Sequence, residues 1–202
     1  MDTEVIELDA TALFWQTMSR AFLPPMGQAV ADAFVTDLPD ELEELTHVLG
    51  IAASQELAAL RMQSSRFTEP GALLLEYARL FLPPAGPVTL NLSRYVDRGV
   101  DGPCMDALEA AYLSEGLAPG NGLRDLADHA SRQFEFMAVL AERSPGAEDR
   151  FAQHCLVGAL PRLAAQLDRA DAASPYTVLA RLAAQAVRDG HCRVAAAPEP
   201  AS

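Results

Sequence analysis

The residues best equipped for chemistry in this chain are Asp128, His129, Glu135 and His154. Imidazole and carboxylate groups can ligate a metal ion or shuttle protons, so these four are the candidate catalytic or metal-binding set. Their spacing argues against one shared site. Neighbouring residues on a helix point about 100° apart, so Asp128 and His129 cannot share a face as an i,i+3 or i,i+4 pair would. With the buried face of that helix centred on Ala130, Asp128 and Glu135 fall roughly 140–160° away from it. His129 sits on the flank beside Gln133 and Phe136. The ordinary reading is a solvated surface in which Asp128 pairs with Arg132 four residues on; a partner-binding site comes second and catalysis third. His154 reads as a satisfied histidine at a helix border. No phosphate loop, dinucleotide fingerprint, HExxH or GxSxG motif occurs.

Cys104, Cys155 and Cys192 are odd in number, far apart and without a CxxC pair. Zinc, iron–sulfur and disulfide frameworks therefore have no support. Of the 202 residues, 50% are apolar and 21% charged, which suits a soluble domain with a real core. The formal charge of −13 repels nucleic acid and favours basic ligands such as cationic peptide segments. The acidic start, MDTEVIELDA, lacks the basic-then-apolar order of a secretion signal. No apolar run approaches the ~20 residues of a membrane span. A cytoplasmic protein without membrane insertion is expected.

The elements that must position these residues are helices. Apolar residues recur at gaps of three and four over 10–23, 27–36, 38–49, 53–64, 68–81, 103–116, 123–142, 147–168 and 175–188. Asp37 reads as an N-cap before Pro39 and an acidic first turn. Gly50 and Gly116 read as stops, Pro161 as a kink, and Ser174 with Pro175 as another helix start. The chain should form an all-α, single-domain helical bundle over residues 1–193, with a disordered tail over 194–202.

One stretch breaks the pattern. The helix carrying Leu73, Tyr77, Leu80 and Phe81 stops at Pro83 and Pro84, and about twenty non-helical residues follow. Within them Val88, Leu90 and Leu92 alternate with Thr89, Asn91 and Ser93, a period of two. A lone strand cannot make a sheet. This segment is expected to cross the helical body as one long ordered loop, with its apolar side chains pinned underneath.

These segments together resemble the TorD/DmsD/NarJ family, the chaperones that mature molybdenum-containing redox enzymes. YARLFLPP followed by PVTLNLSRYVDRG is similar to the family's first signature, matched here by Tyr77, Leu80, Phe81, Pro84, Ser93 and Tyr95. LADHASRQFEFMAVLAE resembles the second, a step through Asp-His into a helix, matched by Asp128, His129, Glu135, Phe136 and Met137. FAQHCLVGALPRLAAQL is similar to a third segment, through Phe151, His154 and Pro161, and SPYTVLARLAAQAV to the last helix. Order and spacing agree over residues 73–188. The sequence departs from the pattern at Pro83, where Gly is usual, at Leu126 or Ala127, where proline precedes Asp-His, and at Cys155, where Leu is usual. The loop looks most like the branch serving type II dimethyl-sulfoxide-reductase-group enzymes.

The resemblance implies an all-helical, non-enzymatic, cytoplasmic protein without a cofactor of its own, monomeric or a helix-swapped dimer. It also implies a ligand: the twin-arginine leader of a molybdenum oxidoreductase catalytic subunit, or the apo-subunit itself, held until the molybdopterin cofactor is inserted. On that reading Tyr77, Leu80, Phe81 and Phe136 receive the leader's apolar side chains, and Asp125, Asp128 or Glu135 meets its arginines. Pro84, Ser93, Tyr95 and His129 complete the expected binding set. The alternatives are a helical scaffold that binds a folded partner and a metal-dependent enzyme using Asp128, His129, Glu135 and His154.

Overall fold

In the computed structural model, described for residues 9–97, 103–116, 127–144 and 146–194, the chain is all-α. Ten α-helices are present among the described residues: α1 (Ala10–Ala21), α2 (Gln28–Thr36), α3 (Leu38–Leu49), α4 (Ser54–Ser64), α5 (Ala72–Phe81), α6 (Pro103–Ser114), α7 (Ala130–Arg143), α8 (Ala147–Cys155), α9 (Leu160–Asp171) and α10 (Pro175–Val194). The expected tail, except Val194, lies outside the described residues, as does Asp125.

Four local expectations need correction. Asp37 adopts helical backbone angles and accepts from the Thr36 hydroxyl at 2.6 Å, so its side chain does not cap α3. The helix placed at 68–81 begins only at Ala72, after Gly71. The pattern over 147–168 is two helices: α8 ends at Cys155, and Pro161 lies in the first turn of α9. Proline's fixed φ and missing N–H suit a helix start, which is why it opens a helix here and bends none. Ser174 does precede α10, but its hydroxyl finds no partner. Gly50, by contrast, ends α3 as expected, at φ 63° and ψ 31°, a left-handed turn open to glycine at little cost.

The core follows from the apolar faces. α1 packs most extensively on α7, and α10 on α9 and α4. Trp15 stacks on Phe134 at 5.4 Å between ring centres, and Phe22 lies 5.7 Å from the same ring. Tyr176, at the start of α10, is fully buried among Phe22, Phe34, Tyr77 and Phe81. Five aromatic residues, from α2, α5, α10 and the turn after α1, thus lock the end of α5, where the crossing loop departs. A second cluster joins Tyr112, Phe136 and Phe151, tying α6, α7 and α8.

The crossing loop is ordered up to Asp97, as the period-two pattern anticipates. Val88, Leu90 and Leu92 are all buried beneath it. A 3₁₀ turn, Leu92–Tyr95, ends the extended part. Residues 98–102 of the same segment lie outside the described residues.

Candidate functional site

The loop is fastened on two sides. On one side its backbone pairs with the residues preceding α7. The Leu92 N–H donates to the Asp128 carbonyl at 2.9 Å, and the Ala130 N–H donates to the Leu90 carbonyl at 2.8 Å. This is an antiparallel bridge between Asn91 and His129. Side chains reinforce it. The Asp128 carboxylate accepts from Asn91 Nδ2 at 2.5 Å with one oxygen and from the Ser93 hydroxyl with the other. Gln133, buried on α7, donates to the Asp128 carbonyl at 3.1 Å.

On the other side α9 holds the loop from its exposed edge. Gln166 Nε2 donates to the Pro87 carbonyl at 2.5 Å, and the Arg162 guanidinium donates to the Tyr95 carbonyl. Within the loop the Tyr95 hydroxyl donates to the Thr89 carbonyl at 2.8 Å. Burial pushes that phenol up to about 12, so it remains a donor throughout the working pH range. The Val88 N–H reaches back to the Leu80 carbonyl at 3.1 Å, joining loop to α5.

This geometry overturns the helical-wheel placement of Asp128. α7 starts only at Ala130, and His129 is extended at φ −64° and ψ 136°. The helical periodicity therefore does not reach Asp128, which is 5% exposed rather than solvated. The expected Asp128–Arg132 ion pair is absent: Arg132 pairs with Glu135 at 2.7 Å on the surface of α7. His154 lies apart on α8, its Nδ1 within 2.8 Å of the Arg150 carbonyl. The four residues first considered for catalysis are thus divided among three local settings. Among the described residues no group of three or more His, Cys, Asp or Glu side chains is gathered for a metal ion.

The remaining candidates divide by depth. Ser93, Asp128 and His129 come together at the bridge, with Tyr95 one turn away along the loop. Tyr77, Leu80 and Phe136 are interior residues whose surfaces are taken by the chain's own core, so they do not line an open apolar groove. Tyr77 even directs its hydroxyl at the Phe22 carbonyl, 3.4 Å away. Phe81 is half-buried, while Pro84 and Glu135 are exposed. Several positioning residues escaped the sequence reading: Asn91, Gln133, Arg162, Gln166 and Tyr112, whose hydroxyl points at the Ala127 and Arg132 carbonyls at 3.3 and 3.4 Å. Asn91 carried a signal, as a polar residue in the alternating stretch; the two α9 residues carried none.

His129 has a definite task. It is the N-cap of α7, and its Nδ1 accepts from the Ser131 N–H at 3.3 Å and lies 2.8 Å from the Ser131 hydroxyl. An accepting Nδ1 requires the neutral ring, and burial lowers the His129 pKa. A folded-state pKa below the unfolded one means that the unfolded chain binds more protons in the interval between them, so stability rises with pH there. His129 accordingly contributes fully above its ordinary value of 6.5 and progressively less as pH falls through the interval below it. His129→Asn should keep the cap, since asparagine is a good N-cap, and lose this dependence. Urea unfolding of both proteins at pH 7 and pH 5, at fixed salt, should show the smaller acid-induced loss in the variant.

The sequence between Asp32 and Ser174 matches the family model described as nitrate reductase delta subunit, over residues 32–174. The chain belongs to the nitrate reductase delta subunit family. This is a family of molybdoenzyme maturation chaperones of the NarJ/TorD type, as the resemblance implied. Among curated proteins none matches the chain. The delta-subunit match takes in the crossing loop, the Asp128–His129 step and α9, the three parts that the hydrogen bonds above join. Among the described residues no helix is long and apolar enough to cross a membrane.

Proposed function

We propose that this chain is a cytoplasmic, system-specific chaperone for the catalytic subunit of a molybdenum oxidoreductase. It holds the subunit's twin-arginine leader, its apo form, or both, until the molybdopterin cofactor is inserted and export can follow. The observation that carries this reading is the joining of the loop and the Asp128–His129 step into one hydrogen-bonded unit within a delta-subunit family member. A flexible loop would lose conformational entropy on gripping a peptide; a loop already fastened on two sides loses little.

In this proposal the exposed and half-buried residues make the contacts. Pro84, Phe81 and Tyr95 offer apolar surface, His129 a polar edge, and Glu135 a carboxylate for a guanidinium fork; Asp125, the other carboxylate of the expected set, lies outside the described residues. Tyr77, Leu80, Ser93, Asp128 and Phe136 hold that surface in place from below. Burying roughly 500 Å² of apolar leader at ~25 cal/mol/Å² gives about 12 kcal/mol gross, from which ordering and association remove several. A dissociation constant near ~1 μM, about −8 kcal/mol, is then expected, suited to a client that must be released.

The test is titration of the purified chain with synthetic twin-arginine leaders and with versions in which both arginines are glutamine. Micromolar binding that weakens with salt and with the Arg→Gln change is expected. Failure of every leader in a broad panel, and of the apo-subunit, would remove the proposal.

A further inference from the structure

A second concave surface lies between α1, α2 and α3. α2 is apolar on more than its inward side. Ala31 and Phe34 face the core, yet Ala29, Val30 and Ala33 on the outward side are exposed. Gln28, Asp32 and Thr36 form its polar side, while Val30 and Ala33 extend the apolar stripe beyond the part that the core covers. Beside it α1, α2 and α3 leave an open cavity of about 380 Å³, with Ala21, Val30, Phe34 and Leu38 among its walls. That volume falls within the usual range for ligand sites, roughly 300–1,000 Å³. The turn leading into α2 adds more apolar surface: Leu23 is 44% and Met26 68% exposed, and Val30 itself 51%.

The rim specifies the charge of the occupant. Asp37 and Glu41 line the cavity, with Arg20 as the accompanying cation. Arg20 is already committed to Glu41 at 2.5 Å and to the Thr17 hydroxyl at 3.1 Å. The Asp37 carboxylate accepts from the Thr36 hydroxyl and, among the described residues, has no cation beside it. Two carboxylates, Asp37 and Glu41, thus line the cavity with one neutralised guanidinium. A second copy of the chain is a poor occupant, because a symmetric contact would set this rim against itself on a protein of charge −13.

We propose that the groove between α1, α2 and α3 is a docking surface for an amphipathic helix of a partner protein, one that carries aliphatic side chains with Arg or Lys one turn away. The aliphatic side chains enter between Val30, Phe34 and Leu38, and a cation one turn away pairs with Asp37 on the rim. None of its walls comes from the loop or the Asp128–His129 step, and it does not depend on the leader-binding proposal.

The test uses the full chain and a fluorescein-labelled, helix-forming peptide of about 15 residues made from Leu, Ala and Arg, with a twin in which Glu replaces Arg. Anisotropy should show the Arg peptide binding at least about tenfold more tightly than the Glu twin. Val30→Arg, at an exposed position that tolerates bulk, should weaken the Arg peptide by about tenfold or more, and Asp37→Asn by about threefold with a shallower salt dependence. Val48→Arg makes the same charge change on α3, at a residue 65% exposed and outside the groove lining, and should leave affinity within about twofold.

Equal weakening by Val30→Arg and Val48→Arg would mean general attraction to an acidic surface and would overturn the proposal, as would no binding of either peptide. A dimer in sedimentation that Val30→Arg abolishes would assign the groove to a second copy and overturn the partner helix. Twin-arginine leaders, titrated in parallel, should bind the Val30→Arg protein as they bind the wild type. Loss of leader binding in that variant would place the leader here and overturn the separation of the two surfaces.

Discussion

Asp128→Ala should lower the melting temperature by about 6–12 °C. The carboxylate is buried and accepts from Asn91 and from Ser93, itself 1% exposed. Truncation removes the acceptor and leaves the Ser93 hydroxyl without it in the interior. Stranding buried donors in this way costs about 1–3 kcal/mol, with more where the partner is charged, so about 3 kcal/mol is expected. For a chain of this size each kcal/mol corresponds to roughly 2–4 °C. Asp128→Asn keeps one accepting oxygen and should lose about half as much. The backbone bridge through Leu92 and Ala130 does not need the side chain, so the loop should loosen on this edge while α9 still holds the other. Calorimetry decides the matter, and a change below about 2 °C would show that the carboxylate carries no structural weight.

The second large effect is expected at Gly86. A Cβ placed there would lie 2.6 Å from the Leu82 nitrogen, 2.7 Å from the Phe81 carbonyl carbon and 2.9 Å from the Leu82 oxygen. All three are backbone atoms and cannot swing aside. The close approach is what allows the Gly86 N–H to donate to the Leu82 carbonyl at 2.8 Å and the chain to fold back over the end of α5. Gly86→Ala should force that turn open, at about 2–3 kcal/mol, and free the Val88 N–H from the Leu80 carbonyl. Gly71→Ala is the fitting control: its φ of +78° carries strain but its Cβ would meet nothing within 4 Å. The expected order of stability is wild type, Gly71→Ala, then Gly86→Ala, with fast exchange of the Val88 amide in the last. A Gly86→Ala protein as stable as wild type would contradict this account of the turn.

The all-α architecture was readable because helical periodicity is a local property: Leu42, Leu45 and Leu49 define a face whatever they pack against. The crossing loop was readable for the same reason, since alternation at Val88, Leu90 and Leu92 reports one buried side. What failed was any inference that needed to know where a helix begins. A pattern running from Leu123 to Ala141 looks continuous, but the pairing of Leu90 and Leu92 with the step before α7 holds His129 extended, and the wheel angle given to Asp128 then means nothing. The contacts of Arg162 and Gln166 with the loop span 67 and 79 residues of sequence, and no local pattern encodes such distances. Tyr77 and Phe136 show a further gap. The resemblance implied aromatic residues that receive a ligand, and only the packed structure shows their rings occupied by Tyr176, Tyr112 and Phe151.

Hydrogen exchange of the full chain, resolved to individual amides and measured with and without a saturating twin-arginine leader, bears most directly on the proposed role of the fastened loop. Added protection is expected at residues 88–95 and 128–131 together, because the two stretches share hydrogen bonds and open as one unit. Protection confined to α2 and α3, or to neither of those stretches, would contradict it.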